Sequence, residues 1–94
     1  MYVTYYSRLF KRSVKKILRS GKVSREEIEF VISKLAAGDT LDRRYFDHAL
    51  IGDMAGYRDC HIRPDILLLY SIDSGRLLLL LVDIGSHSTI FEGS

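Results

Sequence analysis

The sequence predicts an α+β fold in the order β-α-α-β-β-β, an antiparallel meander sheet with a helical hairpin packed on one face. Three observations predict it. Residues 8–37 place apolar side chains at helical spacing in two stretches parted by a glycine turn. Residues 57–84 form three strand-like runs broken by Arg63-Pro64 and by Asp73-Ser74-Gly75. The chain has 94 residues, the size of one small domain over 1–94, and such a domain buries about 60–65% of its unfolded surface. Its hydrophobic fraction of 47% and charged fraction of 28% suit one modest core and argue against disorder.

Each element has a local cause. Residues 2–6, YVTYY, are aromatic and β-branched and predict a short strand. Ser7 is placed to cap the helix that follows. From Arg8 to Ser20, Phe10, Val14, Ile17 and Leu18 recur at helical spacing with Leu9 beside them, while Lys11, Arg12, Lys15, Lys16 and Arg19 fill the other side. Gly21 suits the helix stop. Ser24-Arg-Glu-Glu27 has the S-x-x-E form of a capping box and opens a second helix with a stripe of Ile28, Val31, Ile32 and Leu35, ended by Gly38. Neither helix can bury its stripe alone, so both should pack on a sheet.

Residues 39–55 are polar and irregular and predict a loop with room for one helical turn. Tyr57 to Ile62 is a strand, Asp65 to Ile72 a second, and Arg76 to Ile84 a third, the last two joined by a hairpin turn. Their near-continuous apolar character predicts central positions in the sheet and leaves surface that a partner could cover. Gly85 begins a short polar tail, GSHSTIFEGS.

Composition excludes several classes. The longest apolar run, Leu77 to Val82, is far below the roughly 20 residues that span a bilayer. The first residues lack the apolar core of a signal peptide. Cys60 is the single cysteine, so no internal disulfide or CxxC motif forms, and a cytoplasmic location is expected. Net charge is +2, unevenly spread: the first 22 residues hold seven basic side chains and no acidic one, and the rest hold seven basic against twelve acidic. A basic helix face points to an anionic partner, nucleic acid first, or else to a solvated surface.

The three histidines, His48, His61 and His87, each stand beside polar residues in or next to a turn. Spacings of 13 and 26 residues match no compact metal motif, so neither metal nor cofactor is expected. No nucleophile-elbow, phosphate-loop or dinucleotide motif is present. General acid–base chemistry fits the inventory. RNA brings its own nucleophile in the 2′-OH, and cleavage needs a base, an acid and positive charge at the phosphate. Along Tyr57–Ile62, Arg58, Cys60 and Ile62 share one face and Tyr57, Asp59 and His61 the other. Asp65, across the Arg63-Pro64 bend, is expected within hydrogen-bond reach of His61. Arg58 is expected to contact phosphate, on charge alone.

Three blocks, Asp47-His48-Ala-Leu-Ile-Gly52, Gly56-Tyr-Arg-Asp-Cys-His61-Ile-Arg-Pro-Asp65-Ile-Leu-Leu-Leu-Tyr70 and Gly85-Ser-His87-Ser-Thr-Ile-Phe91, resemble the YafQ-type mRNA interferases of the RelE/ParE toxin superfamily. The resemblance implies the RelE-like α+β fold and the activity of a toxin in a type II toxin–antitoxin system, a ribosome-dependent, metal-independent endoribonuclease cutting mRNA. It implies catalytic roles for His48, His61, Asp65 and His87: His87 as general acid, and His61 or His48, helped by Asp65, as base. Phe91 would stack on a base. It implies a cognate antitoxin, usually of the ribbon-helix-helix type, with the ribosome and mRNA as further partners and DNA reached only through the antitoxin complex. Lys11, Arg12, Lys15, Lys16 and Arg19 would face the antitoxin or RNA. Two other readings stand beside it: a catalytically weak relative that binds RNA or antitoxin in operon repression, and a ParE-like toxin acting on gyrase. The first draws on one departure. Where relatives often carry a basic residue two places before the glycine of the third block, this chain has Asp83, and an anion facing the cleft would oppose the charge of the transition state.

Overall fold

The computed structural model describes residues 1–92; Gly93 and Ser94, the end of the expected polar tail, lie outside the described residues. Strand β1 is Val3–Tyr6, helix α1 Arg8–Ser20, helix α2 Arg25–Ala36, β2 His48–Ala49, β3 Arg58–Arg63, β4 Ile66–Asp73 and β5 Leu78–Gly85. Short 3₁₀ turns occupy Arg43–Tyr45 and Gly52–Met54, and a π-helical turn closes the described chain at Ser88–Glu92.

Local signals act where the sequence placed them. Ser7 Oγ accepts from the Phe10 amide and opens α1, and Gly21, at φ 75°, ends it. Ser24 and Glu27 form both halves of the capping box: the Glu27 amide donates to Ser24 Oγ at 3.1 Å and the Ser24 amide to Glu27 Oε1 at 2.8 Å. Arg63 Nε then binds Glu27 Oε2 at 2.7 Å, tying the start of α2 to the end of β3. The backbone bond at Ser24, with Arg63 second, holds the Glu27 carboxyl below its usual range. Replacing Ser24 by alanine should cost about 1 kcal/mol. At this chain length that lowers the melting temperature by about 4–8 °C, and a melting curve that does not move would refute the cap's contribution.

The sheet runs β1-β5-β4-β3-β2. The β3-β4-β5 meander is antiparallel, and β5 and β4 lie inside the sheet as their apolar runs predict. Two features differ from the sequence-based expectation. First, β1 pairs parallel with β5, Val3 opposite Leu78 through Tyr6 opposite Leu81, so the sheet is mixed. Second, the expected loop 39–55 contains β2, a two-residue strand antiparallel to β3. Its local composition gives no strand signal; pairing with β3 alone makes it extended. The β4–β5 turn is also longer than a tight hairpin, since β5 starts at Leu78 rather than Arg76.

The core lies between the helices and one face of the sheet. Phe10, Ile28, Val31 and Leu35 from the helices meet Cys60, Ile62, Ile66, Leu68, Tyr70, Leu79, Leu81 and Ile84 from the strands. Leu67 and Leu69 are also buried but do not join that cluster. They alternate with Leu68, so they stand on the opposite face.

Candidate active site

The second face of the sheet carries the titratable groups. Alternation along β3 sends Cys60 and Ile62 into the core and leaves Asp59 and His61 on the far side. The short strand β2 sets His48 opposite Asp59. His61 lies in register with Leu67, and Leu67 with Gly85, two residues before His87. Four stretches of chain separated by long sequence distances thus meet at one end of the sheet.

Asp59 is the centre of the arrangement. The residue is 3% exposed, and its Oδ1 has no hydrogen-bond partner among the described residues. His48 Nδ1 lies 3.5 Å and His61 Nε2 4.0 Å from that oxygen. Burial raises the Asp59 carboxyl above the usual carboxylate range; the positive forms of His48, then His61, then His87 pull it back without cancelling the burial. One carboxylate therefore feels all three imidazoles. Sequence reasoning passed over Asp59 in favour of Asp65, although period-two alternation already put Asp59 beside His61.

Asp65 itself is exposed in the β3–β4 turn and enters no hydrogen bond or ion pair among the described residues. The β3–β4 register shifts between His61 and Arg63, a bulge that turns the strand end away. The expected His61–Asp65 bond is thus not made.

His48 is fixed by its own loop. Its Nδ1 lies 2.7 Å from the Phe46 carbonyl oxygen. A carbonyl can only accept, so Nδ1 carries the proton and Nε2 keeps its lone pair in the neutral ring. The loop is anchored by a group that sequence reasoning missed. Tyr70, fully buried, donates its hydroxyl to Asp47, the residue before His48. Arg58 Nη2 pairs with the same carboxylate at 3.3 Å and Arg58 Nε donates to Tyr70 Oη at 3.3 Å. Burial, then the Asp47 bond, pushes the Tyr70 hydroxyl up. Arg58 shares the face of Cys60 rather than that of His61, and its guanidinium is engaged there. Its expected phosphate contact is not what this placement favours. Cys60 is fully buried and its thiol is pushed up by that burial, as expected for a packing residue rather than a nucleophile.

His87, just before the π-helical turn, and Phe91, on it, stand with ring centroids 5.0 Å apart, and His87 Nδ1 lies 3.5 Å from Glu92 Oε2. Gly85 makes this turn possible. A Cβ there would come within 2.7 Å of Thr89 Oγ1, which is itself bonded to the Ser86 carbonyl. Asp83 pairs with Leu69, and Leu69 with Asp59, so Asp83 lies on the histidine-bearing face of the sheet. Its Oδ1 accepts from the Ile84 amide at 2.8 Å. The five cations of α1, Lys11, Arg12, Lys15, Lys16 and Arg19, are all exposed.

Among the described residues no group of three His, Cys, Asp or Glu side chains is arranged to hold a metal ion. No helix of the described residues is long and apolar enough to cross a membrane.

The profile of the family described as a bacterial toxin of type II toxin–antitoxin system, YafQ, matches residues 2–92. The mRNA interferase toxin YafQ of Escherichia coli K12 is 40% identical over 47 residues, which cover 50% of this chain and 49% of that protein. The chain thus matches only about half, or less, of the length of its curated relatives, 29% in the case of a Haemophilus influenzae one. Among solved structures, a metal-bound toxin from Helicobacter pylori is 35% identical, with a TM-score of 0.87 over 97% of this chain and 100% of that one. The toxin chain in a DinJ-YafQ complex of E. coli is 27% identical, with a TM-score of 0.84 over 97% of this chain and 99% of that one. On the match over residues 2–92, the chain belongs to the YafQ family of bacterial toxins of type II toxin–antitoxin systems.

Proposed function

We propose that this toxin is a ribosome-dependent endoribonuclease that cuts mRNA by general acid–base catalysis. The observation that carries the reading is His48 and His61 facing the buried Asp59 carboxylate, with His87 two residues beyond Gly85 at the same end of the sheet. His48 Nε2, free because Nδ1 is held by the Phe46 carbonyl, takes the proton from the ribose 2′-OH. The 2′ oxygen attacks phosphorus and the P–O5′ bond breaks. His87, exposed on its turn, delivers a proton to the departing 5′ oxygen. His61, beside Asp59, supplies positive charge near the phosphate. Phe91, in contact with the His87 ring, steadies a base. Arg58 holds the His48 loop through Asp47.

The products are then a 2′,3′-cyclic phosphate and a 5′-hydroxyl. An mRNA with a single 2′-O-methyl group at the cut position should resist cleavage in a reconstituted translation system, with ribosomes required for cutting its unmodified counterpart. Cleavage of the methylated message would overturn 2′-OH attack. Since none of these steps runs through a metal, a chelator that removes transition metals and spares magnesium should leave the rate unchanged; loss of activity would refute that part.

The DinJ-YafQ complex of a relative supports a cognate antitoxin as the controlling partner, which we take to be of the ribbon-helix-helix type, with the exposed cations of α1 offered to it or to ribosomal RNA. DNA is reached through that complex.

The second reading, a weak nuclease serving as a binding module, is favoured by Asp83 on the catalytic face. An anion there opposes the charge that builds on the phosphate. Asp83→Arg should raise the cleavage rate by on the order of ten-fold, and an unchanged rate would show that residue 83 does not reach the phosphate.

A further inference from the structure

A groove of about 650 Å3 opens beside His61, walled by Phe30, Tyr45, Phe46 and Pro64. That volume lies within the roughly 300–1,000 Å3 of small-molecule sites. Phe46 is its unusual member. It sits at φ 48°, the left-handed region that a Cβ-bearing residue adopts only at a cost, and it is 66% exposed. A strained, exposed phenyl ring gains the fold little, which directs attention to what else it does. Two contacts answer. Its carbonyl fixes His48 at 2.7 Å, and its ring packs on His61 with centroids 5.6 Å apart. The strained backbone is thus coupled to one catalytic histidine and the side chain to another, while the rest of the ring faces the groove.

The rim charges decide the kind of occupant. Glu26, Glu27, Arg44 and Arg63 balance in sign. Arg63 is paired with Glu27 at 2.7 Å, and Arg44 is turned onto Tyr45, its guanidinium 4.9 Å above the ring and Nη2 donating to Oη at 2.9 Å. An electrically balanced, aromatic groove does not suit a phosphate. It suits a flat, uncharged, stackable group, and it runs directly into His61.

We propose that this groove is the subsite for one nucleobase flanking the scissile phosphate on the His61 side, with the Phe46 ring as its stacking platform. The subsite rests on the nuclease reading and gives that reading a base preference at one position. No motif residue singled out in the sequence has this role, because Phe46 lies in the irregular loop before the first block.

The test compares wild type with Phe46→Gly, Phe46→Leu and Phe46→Tyr, mapping cut sites by 5′-end sequencing in messages randomised around the cut, with kcat and KM measured on one of them. Glycine keeps the left-handed backbone that anchors His48 and removes the ring; leucine keeps apolar bulk without an aromatic face. Glycine and leucine should flatten the base preference at one flanking position and raise KM by roughly ten-fold, and tyrosine should keep both. A leucine variant that melts like wild type and cuts with an unchanged preference overturns the subsite, whatever the glycine variant does. Unchanged cutting with weakened inhibition by the antitoxin overturns it too, making the groove a protein-docking surface. A wild-type protein that cuts no RNA sinks the nuclease reading and the subsite with it, an outcome distinct from either of those.

Discussion

Replacing His87 by alanine lowers mRNA cleavage by about 10²- to 10⁴-fold and leaves the melting temperature unmoved. The loss follows from the role proposed for it above, proton donor to the 5′ oxygen. The unchanged stability follows from its position, since the imidazole is exposed just before the π-helical turn and, among the described residues, meets the Phe91 ring and Glu92. Primer extension on ribosome-bound mRNA reads the first quantity and thermal melting the second. A substrate with a better leaving group than the 5′ alkoxide, such as a 5′-thio linkage, should restore much of the rate, because such a group departs without a proton. An alanine variant that cuts at the wild-type rate removes His87 from the mechanism. One that fails to fold makes it structural.

Asp59→Asn should act in opposite directions on stability and activity. The carboxyl is buried and one oxygen lacks a partner, so ionisation is unfavourable in the fold and its proton is held above the ordinary range. A carboxyl whose folded-state pKa exceeds its unfolded value contributes stability that is full below the unfolded value and is lost as pH rises through the folded one. Near neutral pH the wild-type protein carries this cost and asparagine does not. The variant should be more stable there by on the order of 1 kcal/mol, about 4–8 °C in melting temperature. The gap should close as pH falls into the carboxylate range. Cleavage should fall at least ten-fold, since His48 and His61 lose the charge that faces them. A destabilised variant with normal cleavage would reduce Asp59 to a packing residue; a rate that falls with the stability gain absent would contradict the burial argument alone.

Both predictions turn on positions of unequal legibility. His87 could be chosen from the third block by resemblance. Asp59 had a local signal, its alternation with His61, but Asp65 across the bend looked the better partner. The choice between them depended on the β-bulge after His61, which no composition announces. Arg58 was harder to place for a related reason. Its charge is visible in the sequence, but its engagement depends on Asp47 and Tyr70, 11 and 12 residues away, closing on it. Phe46 carried no signal at all, because its left-handed backbone is imposed by the 3₁₀ turn before it and the pairing of β2 after it.

Elements whose causes are local were legible in the chain before folding: two capped amphipathic helices, the antiparallel meander, the central apolar strands, and the basic face of α1. These follow from periodicity, caps and turn residues within a few positions of one another. Tertiary structure alone decided the parallel pairing of β1 with β5, the existence of β2, and which carboxylate meets the histidines. Each of those rests on hydrogen bonds or burial between residues far apart in the chain, whose energy is gained only once the whole sheet has closed, so no short window of sequence contains them.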